Sequence, residues 1–317
     1  MEVVERLLSG DRRAAARLIT MIENQAPGVK DALRLLHGHT GKAHVVGTTG
    51  PPGAGKSSLV GQLGRAFRSQ GHEKVGIIAV DPTSPFTGGA LLGDRVRMQD
   101  ISNDPGVFIR SMATRGTFGG LARATTDAIK VLDAFGCDPV LVETVGAGQA
   151  EVDIAQAAHT TIVVSVPGMG DEIQSAKAGI LEIADILVVN KADREGADRT
   201  VAELEMMLNL DSHPRLWTPP VIRTVATENK GVFELMEAIA NHWSYLQRTG
   251  SLQDHLHRNS RQHLLDIIEE ELLSRLLRET TKAELDGLVR RIADRELDPY
   301  TAAEMLLGRV QAGKPRP

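Results

Sequence analysis

The chain has 317 residues, 42% of them hydrophobic, which is enough to bury a large core and excludes a wholly disordered polymer. Its 36 Lys and Arg against 41 Asp and Glu leave a net charge of −5, and aromatic residues make up only 3%. That balance argues against a nucleic-acid partner, and the scarcity of aromatics argues against a base-stacking platform.

From Met1 to about His39 the pattern is helical. Val4, Leu7 and Leu8 recur at helical spacing, Ser9-Gly10-Asp11 reads as a cap, and Ala15, Leu18, Ile19 and Ile22 make a second apolar stripe. Gly38 to Gly41 then breaks it. From Ala43 to Tyr245 short apolar runs alternate with helical stretches. Ala43–Val46, Val75–Val80, Val107–Ile109, Val140–Val142, Thr161–Val166, Ile186–Val189 and Val221–Val225 read as strands. Most are unbroken rather than alternating, as in a sheet covered on both faces. The expected fold class is α/β, a doubly wound and mostly parallel sheet with N-terminal and C-terminal helical extensions.

Beyond Tyr245 the strand signal ends. Leu264, Ile268, Leu272 and Leu276 share one stripe, flanked by Leu265, Leu273 and Leu277; it either pads the core or forms a dimerisation arm. Asp298-Pro299 predicts a cap and first helical position. The division expected is 1–41 for the N-terminal extension, 42–248 for the nucleotide domain and 249–317 for the C-terminal helices. A lone cysteine, Cys137, allows no internal disulfide and no cysteine-rich zinc site. The opening MEVVERLLSGDRR has no apolar signal core and no long apolar run follows, so a cytoplasmic protein without a membrane partner is expected.

The chemistry begins at Gly50-Pro51-Pro52-Gly53-Ala54-Gly55-Lys56-Ser57, with Ser58 following, which matches G-x-x-x-x-G-K-[ST] at every fixed position. It stands between a strand and a helix, as that motif requires. Its glycines let backbone N–H groups turn inward around phosphates, and the helix behind presents its positive end. Lys56 is placed to reach the β- and γ-phosphates, and the Ser57 hydroxyl to ligate Mg²⁺. Asn190-Lys191-Ala192-Asp193 comes directly after a strand and is the N-K-x-D string of GTP-binding proteins. The Asp193 carboxylate can accept from both guanine N1–H and the exocyclic amine, a donor pair that adenine lacks. Val225-Ala226-Thr227 lies where a backbone N–H can meet guanine O6.

Three carboxylates are candidates for the magnesium shell. Asp81 ends the Val75 strand, Asp94 lies in the run Leu91–Met98, and Glu143 opens Glu143-Thr144-Val145-Gly146, which looks like a D-x-x-G switch with Glu in place of Asp. Gly146 can give its N–H to a γ-phosphate. Where a GTPase of the Ras type has a water-orienting Gln after this string, Ala147 stands here, and Gln149 lies two further on. Slow hydrolysis completed by a partner is expected, with Arg95, Arg97, Arg115 and Lys177 as candidate charge stabilisers. His44, before the phosphate loop, and His159, in a helical run, read as structural, and Met206-Met207 as helix packing.

The runs VDPTSPFTGGALLGDRVRM (80–98), MATRGTFGGLA (112–122), ETVGAGQAE (143–151) and PGMGDEIQSAKAGILEIADILVVNKAD (167–193), with the phosphate loop, resemble the methylmalonyl-CoA mutase-associated G proteins of the SIMIBI class, whose bacterial members were once labelled arginine/ornithine transport kinases. The resemblance spans nearly the whole chain. It implies a Mg²⁺-dependent GTPase that is slow alone and is stimulated by an adenosylcobalamin-dependent acyl-CoA mutase, whose cofactor delivery it gates. The cobalamin would belong to that mutase, and an adenosyltransferase is a further candidate partner. The resemblance also implies a homodimer, which favours the arm reading of residues 249–317. Family magnesium residues map onto Ser57, Asp81, Asp94 and Glu143, and a third switch onto Asp171, Gln174 and Lys177. The catalytic set so implied is Lys56, Asp81, Glu143, Gln174 and Lys177. Ala147 and Ala150 depart from the family's ETVGVGQSE and leave the client mutase open. Two other readings compete. A small-molecule or protein kinase needs an acceptor site and transfer base that the sequence does not identify, and a metallochaperone GTPase is poorly served by one cysteine.

Overall fold

The computed structural model describes residues 2–82, 99–114, 120–144, 157–168, 182–210 and 216–312. Seven strands form one parallel sheet: β1 (Val45–Thr49), β2 (Val75–Pro82), β3 (Val107–Thr114), β4 (Val140–Glu143), β5 (Thr160–Ser165), β6 (Ile186–Asn190) and β7 (Val221–Thr224). Their order is β3-β2-β4-β1-β5-β6-β7, so β1 lies at the centre and the chain winds outward from it in both directions. All seven expected strands are present, and the doubly wound parallel class holds. β3 runs on past Ile109 to Thr114, and β1 moves at both ends. It runs on to Thr49 instead of ending at Val46, because Thr48 and Thr49 are β-branched and buried between β4 and β5. The strand therefore delivers the chain straight into Gly50.

Strand alternation divides the core into two faces. Val45, Ile78, Val80, Val140 and Val142 face one side, packed with α1 (Glu2–Leu8), α2 (Arg12–Glu23), α3 (Val29–Leu36) and α6 (Gly120–Ala134). Val46, Ile77, Leu141, Ile162 and Val164 face the other, under α4 (Lys56–Ser69) and α8 (Val232–Thr249). The first three helices thus complete the sheet's cover. Asp11 caps α2 by accepting from the amides of Arg13 and Ala14, as its position in the sequence predicts. Leu18 and Ile19 of α2 are wholly buried, and truncating either to Ala costs about 3 kcal/mol. Asp133 of α6 grips the entry to β1 by accepting from the amides of Gly41, Lys42 and Ala43. A short α5 (Gln99–Ser102) precedes β3, and α7 (Ala197–Leu210) packs Val201, Leu204 and Met207 on β6.

At the amino-terminal ends of the strands a buried polar chain closes the fold. His44 Nε2 and His242 Nδ1 both hydrogen-bond Thr160 Oγ1, at 2.8 and 2.9 Å, and His242 Nε2 lies 3.3 Å from Asp185 Oδ1. Asp185 also accepts from the Thr161 amide, Trp217 Nε1 donates to the Asp185 carbonyl, and Trp243 stacks on His44. Burial pushes the His44 imidazole down to about 3, and His159 and His242 to about 4, while it lifts the Asp185 carboxyl to about 7. His159 stands at the entrance to β5 rather than in a helix, its ring nitrogen accepting from the Val45 amide.

The chain divides into two compact units, Met1–Asn259 and Ser260–Pro317, the division falling within α9 (Ser251–Glu279). The second unit holds the rest of α9, α10 (Lys282–Ala293) and α11 (Pro299–Ala312). Thr281 and Glu284 form a reciprocal capping box at the start of α10, and Asp298 accepts from the amides of Tyr300 and Thr301 to start α11 at Pro299. Along the α9 stripe Leu264, Leu265, Ile268, Leu272, Leu273 and Leu277 are exposed, and Leu276 is half-buried. Among the described residues no helix is long and apolar enough to cross a membrane.

Candidate functional site

The carboxyl ends of β1, β4, β6 and β7 bring the sequence motifs to one edge of the sheet. Gly50 leaves β1 with φ 136°, and a Cβ there would run into the Val164 carbonyl of β5; only glycine lets the loop pass so close. Gly55, at φ 87°, opens α4 in a left-handed turn, and a Cβ on it would strike the Asn190 side chain. Between them the loop wraps back over the start of α4. Lys56 is buried and donates from Nζ to the Gly50 and Pro51 carbonyls at 2.7 and 3.0 Å. An ammonium so held is aimed along the inside of the loop, where phosphate oxygens can take over from carbonyls.

Ser57 Oγ donates to Glu143 Oε1 at 2.6 Å, and both side chains are buried. Thr48 and Glu143 are partners in the register of β1 and β4, so the strand pairing itself carries the carboxylate to the first turn of α4. A hydroxyl and a carboxylate in contact beside a lysine are hard oxygen donors of the kind Mg²⁺ takes, and these residues fit such an ion. When bound it would neutralise phosphate charge next to Lys56. Ala79 is Glu143's partner on β2, which places the Asp81 backbone two residues further along the same edge.

Asn190 ends β6 and laces three segments together. Its Nδ2 donates to the Ala54 carbonyl at 2.8 Å, and its Oδ1 accepts from Thr224 Oγ1 and the Ala226 amide, both at 3.1 Å. Lys191 adopts φ 56°, and its Nζ reaches the Gly53 carbonyl at 2.7 Å. The base motif is therefore fastened to the phosphate loop at two successive carbonyls. Asp193 is exposed beyond this brace. Val225 and Ala226 are buried, with the Val225 amide on the Lys230 carbonyl and the Ala226 amide on Asn190; Thr227 is exposed.

Lys56, Ser57, Glu143, Asn190, Lys191 and Val225 to Thr227 thus lie along one edge of the sheet. Asp94, Gly146, Asp171, Gln174 and Lys177 lie outside the described residues, as do Ala147, Gln149, Arg95, Arg97 and Arg115. Thr224, which no motif marks, joins the site as a hydroxyl residue near the end of the Val221 run. The sequence reading missed that Lys191 serves the phosphate loop.

A seven-stranded parallel sheet with this loop after its central strand is a P-loop nucleotide-binding fold, and the Asn-Lys-x-Asp string at the same edge makes it of the GTPase kind. The sequence pattern of the methylmalonyl Co-A mutase-associated GTPase MeaB family matches residues 15–281, and the chain belongs to that family. A Pyrococcus abyssi protein named as a GTPase is 51% identical over 315 residues, covering 98% of this chain and 97% of that one. The mitochondrial methylmalonic aciduria type A homolog of Caenorhabditis elegans is 31% identical, covering 95% and 80%. Among solved structures, a LAO/AO transport system kinase superposes with a TM-score of 0.74 at 26% identity, covering 98% of this chain and 97% of that one.

Proposed function

We propose that this protein is a Mg²⁺-dependent GTPase that serves an adenosylcobalamin-dependent acyl-CoA mutase, using GTP binding and hydrolysis to gate cofactor loading. The observation that carries the GTPase reading is the contact of Ser57 with Glu143, set beside Lys56 and within a loop fastened to the base motif. In this reading Lys56 stabilises charge on the β- and γ-phosphates, while Ser57 and Glu143 hold the ion, aided by Asp81 and Asp94. Asp193 accepts from guanine, and the Thr227 amide takes O6, since the amides of Val225 and Ala226 are engaged. Asp171, Gln174 and Lys177 relay the partner's arrival to the reaction. The family's association with methylmalonyl Co-A mutase supports the partner, and cytoplasm is the proposed location. The exposed leucine stripe of α9 supports a homodimer built through residues 249–317.

The name of the similar solved structure, a transport system kinase, keeps phosphoryl transfer as the second reading. Turnover of γ-labelled GTP separates the two. Label released to water supports hydrolysis, and label transferred to arginine or protein supports the kinase. Co-purification of mutase subunits, with and without a non-hydrolysable GTP analogue, tests the partner. If Gln174→Ala and Lys177→Ala variants keep full mutase stimulation, the role given to that segment is wrong.

A further inference from the structure

Two threonines to which the motifs assign no role, Thr144 being a variable position of the Glu143–Gly146 string, join the roots of two functional segments. Thr49 is the last residue of β1, directly before Gly50, and Thr144 is the first residue after β4, directly after Glu143. Thr144 Oγ1 donates to Thr49 Oγ1 at 3.0 Å, and both residues are essentially inaccessible, at 1% and 0% exposure. The Thr144 amide also donates to the Thr48 carbonyl at 3.1 Å, extending the ladder one step beyond the strand. The chain therefore leaves β4 held by one backbone bond and one side-chain bond. Both end on β1, at Thr48 and Thr49, the last two residues before the phosphate loop.

We propose that the Thr49–Thr144 hydroxyl pair is a positioning device. It sets where the chain leaves β4 and so holds the Glu143 carboxylate against Ser57 for the nucleotide reaction. Packing alone does not call for it, because valine has the same shape and would fill both places. A single bond between two buried hydroxyls adds little net stability, and replacing both partners at once is close to neutral. What the pair supplies is direction: an O–H···O bond constrains angle as well as distance, and two methyl groups in contact do not. Glu143 is the covalent neighbour of Thr144, so slack there is passed to the carboxylate. Misplacement by about 1 Å can cost about 100-fold in rate. The inference rests on the GTPase reading above, and the pair acts through Glu143 rather than on the nucleotide.

The test uses the full chain with Thr144→Val, Thr144→Ser, Thr49→Val and the Thr49→Val/Thr144→Val double variant. Three quantities are read: GTP turnover, thermal midpoint, and the Mg²⁺ concentration that half-saturates tightened binding of a non-hydrolysable GTP analogue. Each valine variant is expected to lower kcat about fivefold to tenfold at unchanged KM, the worth of about one hydrogen bond. It should raise the Mg²⁺ requirement by a similar factor, and Thr144→Ser should restore both. The double variant should regain the parent's thermal midpoint yet stay as slow as either single variant, since the two residues act as a unit. A stable double variant with parental kcat and Mg²⁺ requirement would overturn the inference while leaving the GTPase reading standing. Slowing that serine does not restore, or that merely follows a lowered midpoint, would also overturn it. A parent protein that binds no guanine nucleotide would bring down the GTPase reading, and this inference with it.

Discussion

At the carboxyl edge of the sheet, charged side chains are spent on loop carbonyls: Lys56 on Gly50 and Pro51, Lys191 on Gly53. At the amino edge, His44, Thr160, His242 and Asp185 spend their polarity on one another. The first arrangement keeps strong donors aimed along a backbone cradle, where phosphate can replace carbonyl. The second is a closed chain that keeps its imidazoles neutral within the fold. The contrast explains why one edge binds and the other holds. Perturbed titration alone, which is pronounced at the amino edge, would have pointed to the wrong end of the molecule.

The largest effect expected lies at the carboxyl edge. Lys56→Ala should lower kcat/KM for GTP about 100-fold or more at saturating Mg²⁺, since it removes the charge aimed at the phosphates. Parental turnover in steady-state assays would break the comparison. Ser57→Ala and Glu143→Ala should each raise the Mg²⁺ concentration that turnover requires about tenfold to 100-fold, read by titrating Mg²⁺ at fixed GTP.

The amino edge should answer to pH and not to nucleotide. Histidines held down at about 3 to 4 when folded take up protons near 6.5 when unfolded. Their contribution is therefore whole above pH 6.5 and is lost as pH falls toward 4. Asp185, lifted to about 7, has the opposite sign: folding favours its protonated form, so its contribution is lost as pH rises from about 4 through 7. Three histidines outweigh one carboxylate. Stability should fall by about 1–3 kcal/mol per pH unit between pH 6 and 5, seen as a dropping urea midpoint. A flat profile across that range would show that these rings are not kept neutral.

Asp185→Asn gives the smallest effect. It preserves an acceptor for the Thr161 amide and removes a carboxylate that burial disfavours, so the protein should gain stability, more at pH 8 than at pH 5 and nothing below about pH 4. GTP affinity should not change. A lost nucleotide site in this variant would mean the two edges are coupled.

The unequal legibility of these edges has a physical cause. Phosphate and guanine recognition need residue types at fixed spacing within one loop, so Gly50 to Ser57 and Asn190 to Asp193 could be read directly from the sequence. The strands were legible because each is a short β-rich run, and the central ones are covered on both sides. His44, His159, His242 and Asp185 are brought together only by the winding of four separate segments, and no local string announces them. The same holds for Thr49 with Thr144, and for Thr224 on Asn190. β1 was placed too early because Gly47, Thr48 and Thr49 are weak as a hydrophobic signal although they are buried in the sheet.

The account's central claim is that the edge built by Asn190, Lys191 and the phosphate loop selects a guanine nucleotide through Asp193. Isothermal titration of the parent and of Asp193→Asn with GTP, ATP and xanthosine triphosphate tests it most directly. The parent should prefer GTP, and Asp193→Asn should lose about 2–4 kcal/mol of GTP binding and move its preference to the xanthosine nucleotide. Equal binding of ATP and GTP by the parent, or undiminished GTP affinity in the variant, would contradict it.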